Sequence, residues 1–176
     1  VYAESLYLLT VVATAYAFRR AHFALGAVTG ALMTATRVTA VMAVPGLALL
    51  AWQAAASHGR TRLHAAAAAA ACGLGIGLYS VFNWTLSGSL FTWYESITFW
   101  GYAPGANPLT ALVSLGSHLA TRPYPYLTTE RMAPYDVINA GAAVAALLMV
   151  PLIWKRFNAG YALIVVAALL LPLTVW

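Results

Sequence analysis

Residues 63–82 read LHAAAAAAACGLGIGLYSVF and contain no Asp, Glu, Lys or Arg. A helix of about 20 residues rises roughly 30 Å, the thickness of a bilayer's hydrocarbon core. The alanine run Ala65 to Ala71 leads into Gly73, Gly75 and Gly77. Ala and Gly let helices approach closely, as small-residue seams do in membranes. Gly73 and Gly77 have the small-xxx-small spacing, which serves packing within the chain or a dimer seam. The stretch therefore reads as a membrane-crossing helix with a small-residue face.

Five further apolar stretches flank it: Ser5 to Phe18, Ala21 to Thr36, Val38 to Ala56, Val137 to Trp154 and Tyr161 to Trp176. The first two are short for a straight span. Pro45 falls inside the third, where neighbouring helices and hydroxyls can satisfy a freed carbonyl. The expected fold is all-α: one polytopic transmembrane bundle of about six spans over residues 1–176. The expected partner is the lipid bilayer.

Composition agrees. Across 176 residues, 62% are apolar and 7% charged, against about 25% charged in soluble domains. So few charges cannot cover a water-soluble surface. The net charge is +5, but the basic residues come as small clusters between apolar stretches. No nucleic acid is expected as a partner, since such binding gathers its basic residues on one face or in one run. Cys72 is the single cysteine and forms no internal disulfide. The chain opens at Val1 with neither Met nor a basic leader, and it closes inside an apolar run. It is expected to be truncated at both ends.

Arg19-Arg20, Arg60 with Arg62, and Lys155-Arg156 sit in alternate connections. With six spans these three loops share one side, which the positive-inside rule makes cytoplasmic. The membrane expected is a bacterial plasma membrane or that of the ER. The outer side carries Glu4, Arg37 and the long segment 83–136.

That segment is too polar to span and too apolar for a free linker. Over Leu90 to Trp100, Leu90, Trp93, Tyr94, Ile97 and Trp100 share one arc at 100° per residue, which predicts an amphipathic interfacial helix. Asn107-Pro108 reads as a helix start, with Leu109, Leu112, Val113, Gly116 and Leu119 on one face. Thr121 to Tyr135 should be an outer loop, and Asp136 an N-cap for the next span.

Several residues can carry chemistry. Glu4 and Arg37 emerge at the same outer face, where a lone charge at the hydrocarbon edge is costly. Arg37 either grips a phosphate through paired hydrogen bonds or snorkels at a helix end, paired with Glu4. Glu95 either binds a sugar hydroxyl while Tyr94 or Trp100 packs on the ring, or is a solvated acid on an interfacial helix. Arg131 is a loop charge able to meet substrate. His22, His58, His64 and His118 lack the spacing of a metal site. GxGxxG, Walker and GxSxG patterns are absent,.

Tyr2-Ala3-Glu4-Ser5-Leu6 opens a span that closes on Arg19-Arg20, and the next span closes on Ala35-Thr36-Arg37. This hairpin resembles the tyrosine-(small)-glutamate-serine opening and "ATR" hairpin of the PIG-V-like mannosyltransferases and related GT-C glycosyltransferases. Tyr79 to Phe91, with Gly88 and then Trp100 before a proline-containing loop, is similar to a later segment of that family. The likeness covers about half of the chain.

The resemblance implies transfer of a sugar, mannose above all, from a polyprenyl- or dolichyl-phosphate donor to a glycan or glycolipid acceptor on the outer face. It implies a carboxylate base in the first outer loop and a basic residue against the leaving phosphate. That loop would precede Val1, so no catalytic residue is expected in this chain. Glu4 would shape the site and Arg37 would face the phosphate. Tyr94, Glu95, Trp100 and Arg131 complete the candidate substrate-binding residues. A divalent cation is left open. The family's glycine-acid-proline pattern reads Gly88-Ser89-Leu90 here, a departure in the substrate loop. A transporter would instead carry charged residues within its spans, broken helices and repeats. A non-catalytic scaffold subunit is the remaining alternative.

Overall fold

A computed structural model describes residues 2–96, 108–124, 128 and 133–173. Among these the chain is all-helical, with no strand. The elements are α1 (Tyr2–Arg19), α2 (Phe23–Thr36), a 3₁₀ segment (Val38–Ala43), α3 (Val44–Ser57), α4 (Arg62–Ala71), α5 (Leu74–Ser87), α6 (Thr92–Glu95) and α7 (Pro108–Thr121). They are followed by α8 (Ala133–Arg156) and α9 (Ala159–Leu173). Three helical stretches are long and apolar enough to cross a membrane: Val38–Ser57, Arg62–Ser87 and Val137–Arg156. Phe23–Thr36 and Ala159–Leu169 are apolar but shorter.

α1 and α2 form a hairpin, α3 packs against α1, α4 and α9, and α2 also meets α4 and α5. The core lies between these helices, with Phe18, Met33, Leu47 and Cys72 fully buried. Small residues set the spacing. Gly26 faces the Phe18 ring, and Gly30 faces the Cys72 thiol. A Cβ on Gly46 would stand 2.7 Å from the Gly160 carbonyl, which brings α3 and α9 nearly into backbone contact.

α8 lies outside this core. It packs on α9 and touches α7, and none of its apolar window is buried. Leu148 and Ile138 are mostly exposed, as are Leu8, Leu78 and Leu86 on other helices. An apolar surface this broad is what lipid, rather than water, solvates.

Several expectations need correction. Pro45 does sit inside the Val38–Ser57 stretch, but at a change of helix type rather than within one regular α-helix. The chain turns from the 3₁₀ segment into α3 just before it, and Pro45 falls in the first turn of α3. Its missing N–H is one of the helix's unpaired donors there, so it removes no internal bond.

The opening stretch is also interrupted. α4 ends at Ala71 and α5 begins at Leu74. At the break, Cys72 and Gly73 donate back only three residues, to Ala69 and Ala70. The Thr34 hydroxyl donates to the Cys72 carbonyl at 2.5 Å and accepts from the Ile76 N–H at 3.3 Å. In an unbroken helix those two groups would bond each other. A side chain inserted in the ladder is a recognised cause of a kink.

Gly75 makes this insertion possible, because a Cβ there would collide with the Ala31 carbonyl of α2. The expected Gly73/Gly77 seam is therefore displaced. Gly77 faces open space, and Gly73 meets only its own helix at Ala70.

The outer segment begins later than expected. α5 continues through residues 83–87 and stops at Gly88, whose φ of 75° is a left-handed C-cap, a conformation glycine adopts without strain. Of the expected interfacial helix, Leu90 to Trp100, the described residues show a helical turn at Thr92–Glu95. Ile97, Phe99 and Trp100 lie outside the described residues.

α7 begins at Pro108 as read, but its inward side is Leu115 and Leu119, which meet Val137 and Ala140. Val113 and Gly116 are exposed. α8 starts at Ala133, so Asp136 lies within its first turn and is not the N-cap. Residues 125–127 and 129–132 of the expected loop, including Glu130 and Arg131, lie outside the described residues.

Candidate functional site

Arg37 is a single extended residue, with φ −149° and ψ 120°, between α2 and the 3₁₀ segment. Its N–H closes α2 on the Met33 carbonyl, and its carbonyl accepts from Ala40 N–H. The backbone therefore fixes its position at the hairpin's open end. Across the hairpin, Glu4 lies in the first turn of α1. The Arg37 guanidinium and the Glu4 carboxylate pair at 3.6 Å. The pair is open to the surroundings, at 49% and 75% exposure. An ion pair this exposed adds little to stability, so its consequence is to orient Arg37.

The guanidinium also stands 5.8 Å from the centre of the Tyr7 ring. Such a cation–π contact steadies the planar group without using its hydrogen bonds. Tyr7 did not figure among the candidate residues. The available signal was its position three residues after Glu4 on the same face of α1. The result is a cation held by a carboxylate and a ring, with donors left to bind an oxyanion.

The α5–α6 turn is a second polar cluster. Glu95 Oε1 accepts from Ser89 Oγ at 2.9 Å. The Trp93 indole N–H donates to Ser80 Oγ at 3.0 Å, and the Ser87 and Thr92 hydroxyls meet at 2.5 Å. Trp93 packs edge-on against Phe91 and Tyr94. Tyr94 is half exposed. α6 packs on α5, so Tyr94 and Glu95 are carried on that arm, apart from the Glu4–Arg37 pair in the chain's local packing. Trp100 and Arg131, the other two candidates, are outside the described residues.

A polar seam that the sequence reading passed over runs inside the hairpin. Thr14 Oγ1 donates to Thr29 Oγ1 at 2.9 Å, and Thr29 Oγ1 donates to the Leu25 carbonyl at 2.9 Å. Its signal was threonine recurring every four residues at Thr10 and Thr14, with Thr29 and Thr34 opposite.

The other end of the bundle gathers the basic connections. One cavity of about 600 Å³ joins His22 and the start of α2 to Arg60 and His64. A second, of about 390 Å³, joins Arg19 and His58 to the α8–α9 connection at Phe157 and Asn158. Arg62 stands 5.1 Å from the Trp52 ring and Arg20 stands 5.6 Å from the Tyr16 ring. The three basic connections thus share one end, opposite Glu4 and Arg37. Among the described residues no three His, Cys, Asp or Glu side chains converge as metal ligands would.

This architecture defines a helical bundle with three stretches able to cross a membrane, polar at its two ends. Comparison with family models, curated proteins and solved structures finds no match.

Proposed function

We propose that this chain forms part of a membrane glycosyltransferase that binds a polyprenyl- or dolichyl-phosphate sugar, with mannose as the expected sugar, at the end carrying Glu4 and Arg37. The observation that carries the reading is the Arg37 guanidinium, set at the hairpin's open end between Glu4 at 3.6 Å and the Tyr7 ring at 5.8 Å. A bidentate guanidinium suits a phosphate whose negative charge grows as the sugar leaves. Glu4 holds the guanidinium in orientation and Tyr7 covers one face. Tyr94 and Glu95 are proposed to meet the sugar or the acceptor. The reading assigns the general base to no residue of this chain.

The same proposal includes six crossings, with α1, α2 and α9 as shortened spans and the basic end cytoplasmic. The placement of all three basic connections at one end supports it,.

The test is Arg37→Ala and Arg37→Lys in the full-length protein, assayed for transfer from a polyprenyl-phosphate sugar. Loss of one phosphate contact should lower kcat/KM by about 10²-fold or more for Arg37→Ala. Arg37→Lys should recover part of it, because a point charge replaces a fork. Unchanged transfer by Arg37→Ala removes the assignment.

A transporter is the second reading, and the interruptions before α3 and between α4 and α5 favour it, since broken helices line transporter sites. Against it, the α4–α5 break is packed shut by Cys72, Gly30 and Thr34. Uptake of labelled sugar-phosphate lipid into proteoliposomes without transfer would favour the transporter.

A further inference from the structure

The 390 Å³ cavity stands at the end opposite the proposed sugar site. Its polar walls are Arg19 from the end of α1, Gln53, Ser57 and His58 from the end of α3, and Asn158 and Tyr161 at the start of α9. Asn158 Oδ1 caps α9 by accepting from Gly160 N–H at 2.7 Å. That turns the rest of the amide, a donor, toward other partners.

Two observations call for a ligand here. The first is the buried Gln53 Oε1, which has no hydrogen-bond partner. An acceptor left unpaired this way destabilises the fold, and with a small shift of the amide toward the cavity a ligand donor would supply the missing bond.

The second is charge. This end carries Arg19, Arg20, Arg60, Arg62, Lys155 and Arg156, and among the described residues it carries no carboxylate. Glu4 pairs with Arg37 at the opposite end, and Glu95 bonds Ser89 beyond the far end of α5. Asp136 lies some 20 residues before Arg156 on α8, roughly 30 Å along a helix. Among the described residues, then, no carboxylate balances these cations, and an anion held in the cavity would do so.

The aromatic and apolar neighbours of the cavity point to the kind of anion. The Arg62–Trp52 and Arg20–Tyr16 pairs sit at this end, and aromatic side chains with basic partners mark the headgroup level of a bilayer. Leu50, Ala54 and Phe157 add an apolar wall to the cavity, which suits glycerol and the first acyl carbons better than a free ion. Basic pockets between membrane helices are known to take anionic headgroups.

We propose that this cavity binds the headgroup of an anionic glycerophospholipid, with the phosphate against Arg19 and a headgroup hydroxyl donating to Gln53. The site is independent of the proposed glycosyltransferase activity and lies at the other membrane face.

The test uses purified full-length protein in neutral detergent, titrated with dioleoyl phosphatidylglycerol, dioleoyl phosphatidylcholine or inorganic phosphate. Thermal shift and native mass spectrometry are read together. Phosphatidylglycerol should raise Tm and remain bound in the gas phase, while phosphatidylcholine and phosphate should do neither.

Arg19→Gln and Gln53→Leu should each weaken the phosphatidylglycerol response about tenfold, the loss of one charge-assisted or buried hydrogen bond. Arg20→Gln, whose guanidinium lies over Tyr16 outside the cavity, should keep it. Equal shifts from phosphatidylcholine, or an unchanged response in Arg19→Gln, would overturn the proposal. An equal shift from inorganic phosphate would replace the lipid with a free anion and overturn it as well. If a variant fails to fold, the wild-type comparison among the three ligands still decides.

Discussion

Thr34 shows how one hydroxyl shapes a backbone. It lies between the Cys72 carbonyl and the Ile76 N–H, replacing a bond the helix would otherwise make itself. Thr34→Val keeps the volume and removes both contacts. It is expected to cost about 1–3 kcal/mol, read as a lower Tm, while Thr34→Ser should retain most of the stability. Gly75 is the steric counterpart. Gly75→Ala places a methyl against the Ala31 carbonyl and should cost about 1–3 kcal/mol as overpacking does. Gly77→Ala, facing open space, should leave the stability within about 0.5 kcal/mol of wild type. Sequence spacing singled out Gly73 and Gly77, because it cannot tell which of three alternating glycines turns toward a neighbour. At the candidate site, the Glu4–Arg37 meeting followed from the hairpin alone, whereas the Tyr7 contact needed the helix's rotation about its axis.

At the scale of elements, a helix start was legible where proline opens it, whereas Asp136 is not the cap it was read as and the Asn158 cap was not read. Pro108 opens α7 as read. Asn158 caps α9, and Asn158→Ala is expected to destabilise by about 1 kcal/mol, visible as a lower Tm or as faster amide exchange over 159–162. Helix ends were less legible. α5 runs on to Ser87 because Asn83 and Ser87 bond back to carbonyls of their own helix, at Tyr79 and Asn83. Polar residues that satisfy themselves this way do not end a helix. The two interruptions, before α3 and between α4 and α5, are contacts between elements, and hydropathy averages over them.

For the whole molecule, the arrangement predicts two chemically distinct ends. Cysteines introduced at Gly59 and at Gly88, on a background with Cys72 replaced by alanine, should label with a membrane-impermeant maleimide from opposite sides of sealed vesicles. Labelling from the same side would refute the orientation proposed above. Gly59 and Gly88 are turn glycines with φ of 62° and 75°, so each substitution is strained by roughly a kcal/mol, and both variants must first be shown to run as folded monomers or defined oligomers. α8 stands apart from the core, with its apolar window unburied, and is the helix whose stability should depend most on its lipid surroundings.

Composition and the spacing of basic clusters were enough to define a helical chain with apolar stretches of membrane length and its three basic connections at one end. Those properties are sums over many residues, and hydrophobic transfer and charge placement act on sums. What only the tertiary structure decided is local. It decided that Thr34 breaks the opening stretch at Cys72, that Gly75 rather than Gly73 or Gly77 meets α2, that Tyr7 steadies Arg37, and that Gln53 is left with an unpaired oxygen beside Arg19. Each depends on one side chain's direction at a contact between helices, where an ångström changes a bond into a clash.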